Sequence, residues 1–158
     1  MRPFLAGFLL LLLAPTLPAA GVKLIRVWPT WHNEEDFERI SDYFGRSPEN
    51  GPGREIVLRT HPDSRAGYYF LVRLKNATES AAIKFELSVI RPDALRATVF
   101  TFPAALRARE SVYQLGLTGA DWPSGRKVHP VAWKLTVLAA DGRVLAEQKS
   151  FLWEKPAK

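Results

Sequence analysis

The chain reads as an all-β protein, an antiparallel β-sandwich of about eight strands with one short amphipathic helix after the first strand. Three observations predict this. Short apolar/polar alternations recur along the chain, the cleanest being Ile83, Phe85, Leu87 and Val89 against Lys84, Glu86 and Ser88. Proline, glycine and Asx residues punctuate them at short intervals. Helical periodicity appears only once, so no strand–helix–strand alternation points to a parallel sheet.

The N-terminal stretch stands apart from the fold. Arg2 precedes an apolar run from Phe4 to Leu13, followed by Pro15, Pro18 and the small residues Ala19, Ala20 and Gly21. That order of a basic, an apolar and a small-residue region is expected of a secretory signal peptide over residues 1–20, and the run is too short to span a bilayer. Residues 21–158 are then one domain with enough chain for a sizeable core.

Val22 to Trp28 forms the first strand in this reading, and Pro29 ends it because proline cannot donate to a ladder. Asn33 caps the helix. Glu34, Glu35 and Asp36 place negative charge at its positive end, Phe37, Ile40 and Phe44 share one face, and Gly45 closes it. Residues 46–54 are a loop, Glu55 to Thr60 a strand, and His61 to Ser64 a turn. Tyr68, Phe70, Val72 and Leu74 give the inner face of the next strand, and Asn76 to Ser80 turns the chain. After the strand around Phe85, Pro92-Asp93 breaks the pattern. Ala97 to Phe102 follows with Pro103 closing it, and then Ser111 to Leu117.

The most informative stretch is Pro130 to Trp153. Val131, Trp133, Leu135 and Val137 alternate with polar or small residues, and Ala140-Asp141-Gly142 marks a hairpin. A two-residue turn would set Lys134 against Lys149. A three-residue loop with Gly142 in a bulge avoids that and places Leu145 and Phe151 on the face of Val137. It also turns Glu147 and Lys149 inward, a device that blunts an edge strand.

From Glu55 to Trp153 this strand pattern, with inward Trp133 and the Asp141-Gly142 hairpin, resembles immunoglobulin-like or fibronectin type III-like domains of secreted bacterial proteins. The resemblance is one of fold, without the immunoglobulin cysteine pair and with an added helix. It implies a binding or structural role by analogy alone.

Composition narrows the function classes. The chain contains no cysteine, which removes disulfides, thiol catalysis, cysteine-ligated metals and a lipid-bearing cysteine, and suits a periplasmic or extracellular bacterial setting. The net charge of +6 falls to about +5 without the leader, and its basic residues are dispersed without a nucleic-acid-binding module. Asn76-Ala77-Thr78 fits a glycosylation acceptor but reads first as a turn. His32 with Glu35 or Asp36 offers metal-ligand atoms, yet no second histidine stands at ligand spacing and helix capping accounts for the acids. No nucleophile elbow, phosphate loop or paired acid and base is visible, so catalytic, cofactor and metal residues are expected to be none.

Aromatic residues remain as recognition candidates. Trp28, Trp31 and Trp122 fall at strand ends or in loops, and Asp121 and Ser124 flank Trp122 with polar groups. Ligand-binding residues are therefore expected at Trp31, Asp121 and Trp122. The expected function is an exported, non-enzymatic β-sandwich that binds a protein or glycan of the cell envelope. A carbohydrate-binding module using the loop tryptophans is the alternative, and a small secreted enzyme the second. No nucleic-acid partner and no membrane span in the mature chain are expected.

Overall fold

The computed structural model describes residues 21–37, 55–94, 96–122 and 128–154. Residues 1–20, expected to be a signal peptide, Ile40, Phe44, Gly45 and residues 46–54 lie outside them. Among the described residues, eight strands form two four-stranded sheets. They are β1 (Val22–His32), β2 (Ile56–Arg59), β3 (Gly67–Asn76), β4 (Ala81–Ile90), β5 (Thr98–Leu106), β6 (Arg109–Thr118), β7 (Ala132–Ala139) and β8 (Val144–Lys149). One sheet has the order β1-β3-β6-β2 and the other β5-β4-β7-β8. All pairs are antiparallel except β2 with β6, which run parallel.

The alternations set the core. Tyr68, Phe70, Val72 and Leu74 of β3 and Tyr113, Leu115 and Leu117 of β6 meet Phe85, Leu87 and Val89 of β4 and Trp133, Leu135 and Val137 of β7, all buried. Trp133 packs edge-on against Phe70 with ring centroids 5.8 Å apart. This non-directional apolar burial is the main force holding the two sheets together.

Both prolines expected to end strands lie inside them. Pro29 pairs with Phe70 within β1, and Pro103 with Lys84 within β5. Each strand is outermost in its sheet, so the missing N–H faces no partner strand. β1 also carries a bulge between Leu24 and Arg26. The extra residue, Ile25, is partly exposed, and it keeps Leu24 and Val27 on the inner face although they stand three apart.

The last hairpin has the three-residue loop expected of it. Ala139 N–H donates to the Arg143 carbonyl at 2.9 Å, Gly142 N–H to the Ala139 carbonyl at 2.9 Å, and Gly142 has φ +85°. A second irregularity between Val137 and Leu138 then inserts Leu145, which slides β8 by one residue. Lys134 therefore stands opposite Lys149 after all. The like charges are relieved sideways: Lys149 Nζ lies 3.1 Å from Glu147 Oε1, and Lys134 Nζ sits 5.8 Å from the centre of the Trp153 ring. The same slip puts Glu147 and Lys149 on the outer face with Lys134, correcting their expected inward direction. β8 is nonetheless an edge strand, as expected. It stops at Lys149, and residues Phe151–Glu154 form a 3-10 turn that leaves Phe151 76% exposed. Val131, just outside β7, is also exposed rather than inward.

The helix begins as expected. Asn33 Oδ1 accepts from Asp36 N–H at 2.8 Å while Asp36 Oδ2 accepts from Asn33 N–H at 2.9 Å, a reciprocal cap. Phe37 packs between His32 and Tyr69 on the outer face of the first sheet, with the Arg59 guanidinium 4.9 Å from its ring centre. Arg59 Nε donates to the Tyr69 hydroxyl at 2.8 Å. Tyr69 can lie flat because Gly116 stands opposite it; a Cβ there would approach the ring to 2.4 Å.

Candidate functional site

Strand direction gives the sandwich two ends. One gathers the C-terminal ends of β1, β4 and β6 with the N-terminal ends of β3, β5 and β7. The other gathers Asn76, Ala81, Leu106 and Arg109. The two ends of β6 are about 30 Å apart for a ten-residue strand.

The three residues expected to bind a ligand all fall at the first end. Trp31 pairs with Tyr68 across β1 and β3 and packs half-buried against the core. Trp122 follows the short 3-10 turn Gly119–Asp121, and its ring lies 4.9 Å from Tyr68. Their grouping at one end is as expected, but the ring of Trp122 is covered. Trp122 is 3% exposed and part of the core, because the turn folds its large apolar ring back over the open gap between the sheets. Trp122 therefore plugs this end, while Trp31 stays half-buried beside the core.

Polar groups above the plug are paired with one another. His61 Nε2 lies 3.1 Å from Asp121 Oδ2, and Arg91 Nη1 donates to the Asp121 carbonyl at 3.0 Å. Thr118 Oγ1 donates to the His61 carbonyl at 3.0 Å and accepts from His61 N–H at 3.0 Å. His129 Nδ1 meets the Tyr68 hydroxyl at 2.9 Å. Burial raises the Tyr68 phenol above its usual range, so it stays neutral at physiological pH. Also at this end, Trp122 Nε1 is buried without a hydrogen-bond partner.

The opposite end is built differently. A two-residue connection, Arg107-Ala108, carries the chain from β5 in one sheet to β6 in the other. Arg109 turns the corner with φ +71°, the one positive φ of a non-glycine residue among the described residues. Left-handed backbone costs an L-residue about 1–2 kcal/mol. Beside it lies a cavity of about 510 Å³ lined by Glu55, Arg107, Arg109, Glu110, Ser111 and Val112, with Ala108 at its edge. Asn76 holds the wall. Its side-chain N–H groups donate to the Arg107 carbonyl at 3.2 Å and the Glu79 carbonyl at 3.1 Å, and its Oδ1 accepts from Thr78. That buried, fully used amide makes Asn76-Ala77-Thr78 a structural turn.

Ser111 is the unusual member. It is 8% exposed, and its Oγ is shut off from solvent beside the Tyr113 phenol without a well-formed hydrogen bond. The neighbouring Tyr113 hydroxyl donates instead to the Ala105 carbonyl at 2.8 Å. Burial raises the Tyr113 phenol, with smaller opposing effects from Arg107 and Ser111. On the other face of β6, Gln114 Oε1 is also buried without a partner, while its Nε2 donates to Glu55. Glu110 is held by Arg73 at 3.3 Å.

Sequence reasoning passed over this end. Arg107, Arg109 and Ser111 carry no motif, and only the backbone angle and the missing hydrogen bonds single them out. Around His32 the acids cap the helix; among the described residues no three His, Asp or Glu side chains group as metal ligands. No helix among them is long and apolar enough to cross a membrane. Compared with known families and with characterised proteins, the chain matches no family model and resembles none of those proteins in sequence.

Proposed function

We propose that this protein is an exported, non-enzymatic, immunoglobulin-like binding domain of the cell envelope, and that it receives its partner in the cavity beside Arg109. Export is supported by the leader-like residues 1–20 and the absence of cysteine. Strand order supports the immunoglobulin-like reading. With β1, β3, β4, β6, β7 and β8 taken as A, B, C, E, F and G, one sheet runs A-B-E and the other C-F-G. β5 then joins the second sheet beside C, and β2 occupies the place beside E.

The observation that carries the binding reading is the cavity itself. A left-handed arginine and a buried serine hydroxyl without a well-formed hydrogen bond both line one concave site. Unfavourable local features of this kind collect where a ligand or a mechanism makes use of them. Trp122 at the other end gives no comparable support to sugar binding, since its ring is covered.

Photo-crosslinking in the native envelope tests this. A photoreactive residue at Ala108, exposed at the cavity edge, should yield a defined adduct. One at Asp63, exposed in the turn after β2 near the plug, should not. Adducts from Asp63 alone would place recognition at the plugged end and overturn the proposal.

A further inference from the structure

Exposed apolar side chains are not spread evenly over the molecule. Among the described residues six large ones face water: Ile25, Val99, Val131, Val144, Phe151 and Leu152. Ile25 and Val144 lie toward the cavity end. The other four share one corner, the plugged end of the second sheet. Val99 stands in a cross-strand row with Ser88, Lys134 and Lys149 on the outer face of that sheet. Just past the row, Ser150 N–H donates to the Trp133 carbonyl at 2.9 Å and holds the chain to β7 as β8 ends. The turn Phe151–Glu154 follows and stays against β7, whose first residue succeeds the exposed Val131. Phe151, Leu152 and Trp153 are thus three consecutive apolar residues, two exposed and one half-buried. Such a run at a surface is unfavourable in water and marks a contact with something else.

The corner is basic as well as apolar. Lys134 and Lys149 stand directly opposite each other, an unfavourable pairing that an anion between them would relieve. Lys134 Nζ also sits 5.8 Å from the centre of the Trp153 ring, which ties the charge to the apolar turn. The acids of this face, Glu86 and Glu147, lie one pair of residues farther from the corner, and Glu147 meets Lys149 at 3.1 Å. In sequence Glu154 is followed by Lys155 and Lys158, and the whole chain carries +6. Phenylalanine, leucine and tryptophan set beside lysine are the side chains of segments that rest in the interfacial layer of a membrane. The apolar groups enter among the headgroups while the lysines meet anionic phosphates. A protruding turn, with Phe151 76% exposed, suits that yielding layer.

We infer that this corner rests the domain on an anionic lipid surface. Phe151 and Leu152 enter the headgroup layer, Val131 and Val99 lie at its boundary, and Lys134 and Lys149 face the lipid phosphates. The cavity lies at the far end of the strands, about 30 Å away, so a docked domain keeps it clear of the bilayer. Docking here does not depend on the cavity, whose role is judged separately by the Ala108 crosslink.

The test is sedimentation of the mature domain with vesicles of pure phosphatidylcholine and of an equal mixture with phosphatidylglycerol. The domain should bind the anionic vesicles, leave them as salt is raised, and bind the neutral ones about tenfold more weakly or less. A Phe151→Ser, Leu152→Ser variant changes only exposed positions, so its urea midpoint should hold while its binding falls by about tenfold or more. Lys134→Gln with Lys149→Gln should weaken binding by a similar factor of about ten. Val144→Ser alters a comparably exposed residue at the cavity end of β8 and should change nothing. No binding at millimolar lipid would overturn the inference. So would equal binding to neutral vesicles, or undiminished binding by the Phe151→Ser, Leu152→Ser variant. A parent that ignores vesicles but is dimeric in solution, with that variant monomeric, would assign the corner to a second copy and likewise overturn it.

Discussion

The two ends of β6 solve the same problem in opposite ways. Where the strand finishes, the gap between the sheets is closed by Trp122 against Tyr68; Thr118, His61, Asp121 and Arg91 bond to one another above it, and His129 bonds to the Tyr68 hydroxyl. Where it begins, the chain crosses between sheets on a left-handed Arg109, a serine hydroxyl is buried without a well-formed hydrogen bond, and a cavity stays open. The closed end has the contacts of a structural seal. The open end keeps groups that a stability optimum would discard, as binding sites commonly do.

The largest effect should come from removing the seal. Trp122→Ala should cost about 3–5 kcal/mol, the range for deleting a large buried aromatic ring. Chemical denaturation measures this, and a loss below about 1 kcal/mol would mean that the ring does not fill the gap.

Gly116→Ala acts midway along β6. The added methyl meets the Tyr69 ring at 2.4 Å, so the ring must move off its seat. A loss of about 1–3 kcal/mol is expected from the overpacking. Unchanged stability would show that Tyr69 and Phe37 shift together at little cost.

Alkaline pH addresses both ends at once, since Tyr68 and Tyr113 each have a phenol raised by burial. A folded-state value above the ordinary 10.0 means that the folded protein holds its proton more tightly than the unfolded chain. That contribution is fully present below about pH 10 and is lost as the pH rises through the raised folded-state values. A urea midpoint that falls beyond this point, and falls less steeply in a Tyr68→Phe, Tyr113→Phe variant, is the expected result. Identical profiles would dismiss the tyrosines.

Most of the fold was legible because period-two burial is local. The inner faces of β3 and β4, the Asn33 cap and the Ala140-Asp141-Gly142 loop follow from neighbouring residues. Sheet order is not local. Pro29 and Pro103 read as strand ends until the sheet shows that they lie on edges, where a missing N–H faces no partner strand. The register of β8 likewise turned on a single inserted residue, Leu145, which no turn signal announces. The candidate site was less legible. Trp31, Asp121 and Trp122 do come together at one end, but loop residues give no sign of whether a ring faces water or the core. Arg109 and Ser111 carry their signal in a backbone angle and an absent hydrogen bond, and neither has a sequence pattern.

The smallest effect is also the most discriminating. Ser111→Ala removes a buried hydroxyl that makes no well-formed hydrogen bond, and Arg109→Gly relieves a left-handed arginine. Each should hold stability or raise it by about 1 kcal/mol, although glycine gives back part of its gain as unfolded-chain entropy. Urea denaturation of Ser111→Ala beside Trp122→Ala tests the contrast between the ends directly. A midpoint at or above the parent is expected for Ser111→Ala and one far below it for Trp122→Ala. A clear loss of stability in Ser111→Ala would contradict it, because the hydroxyl would then be a structural group and the open end merely an unfinished version of the closed one.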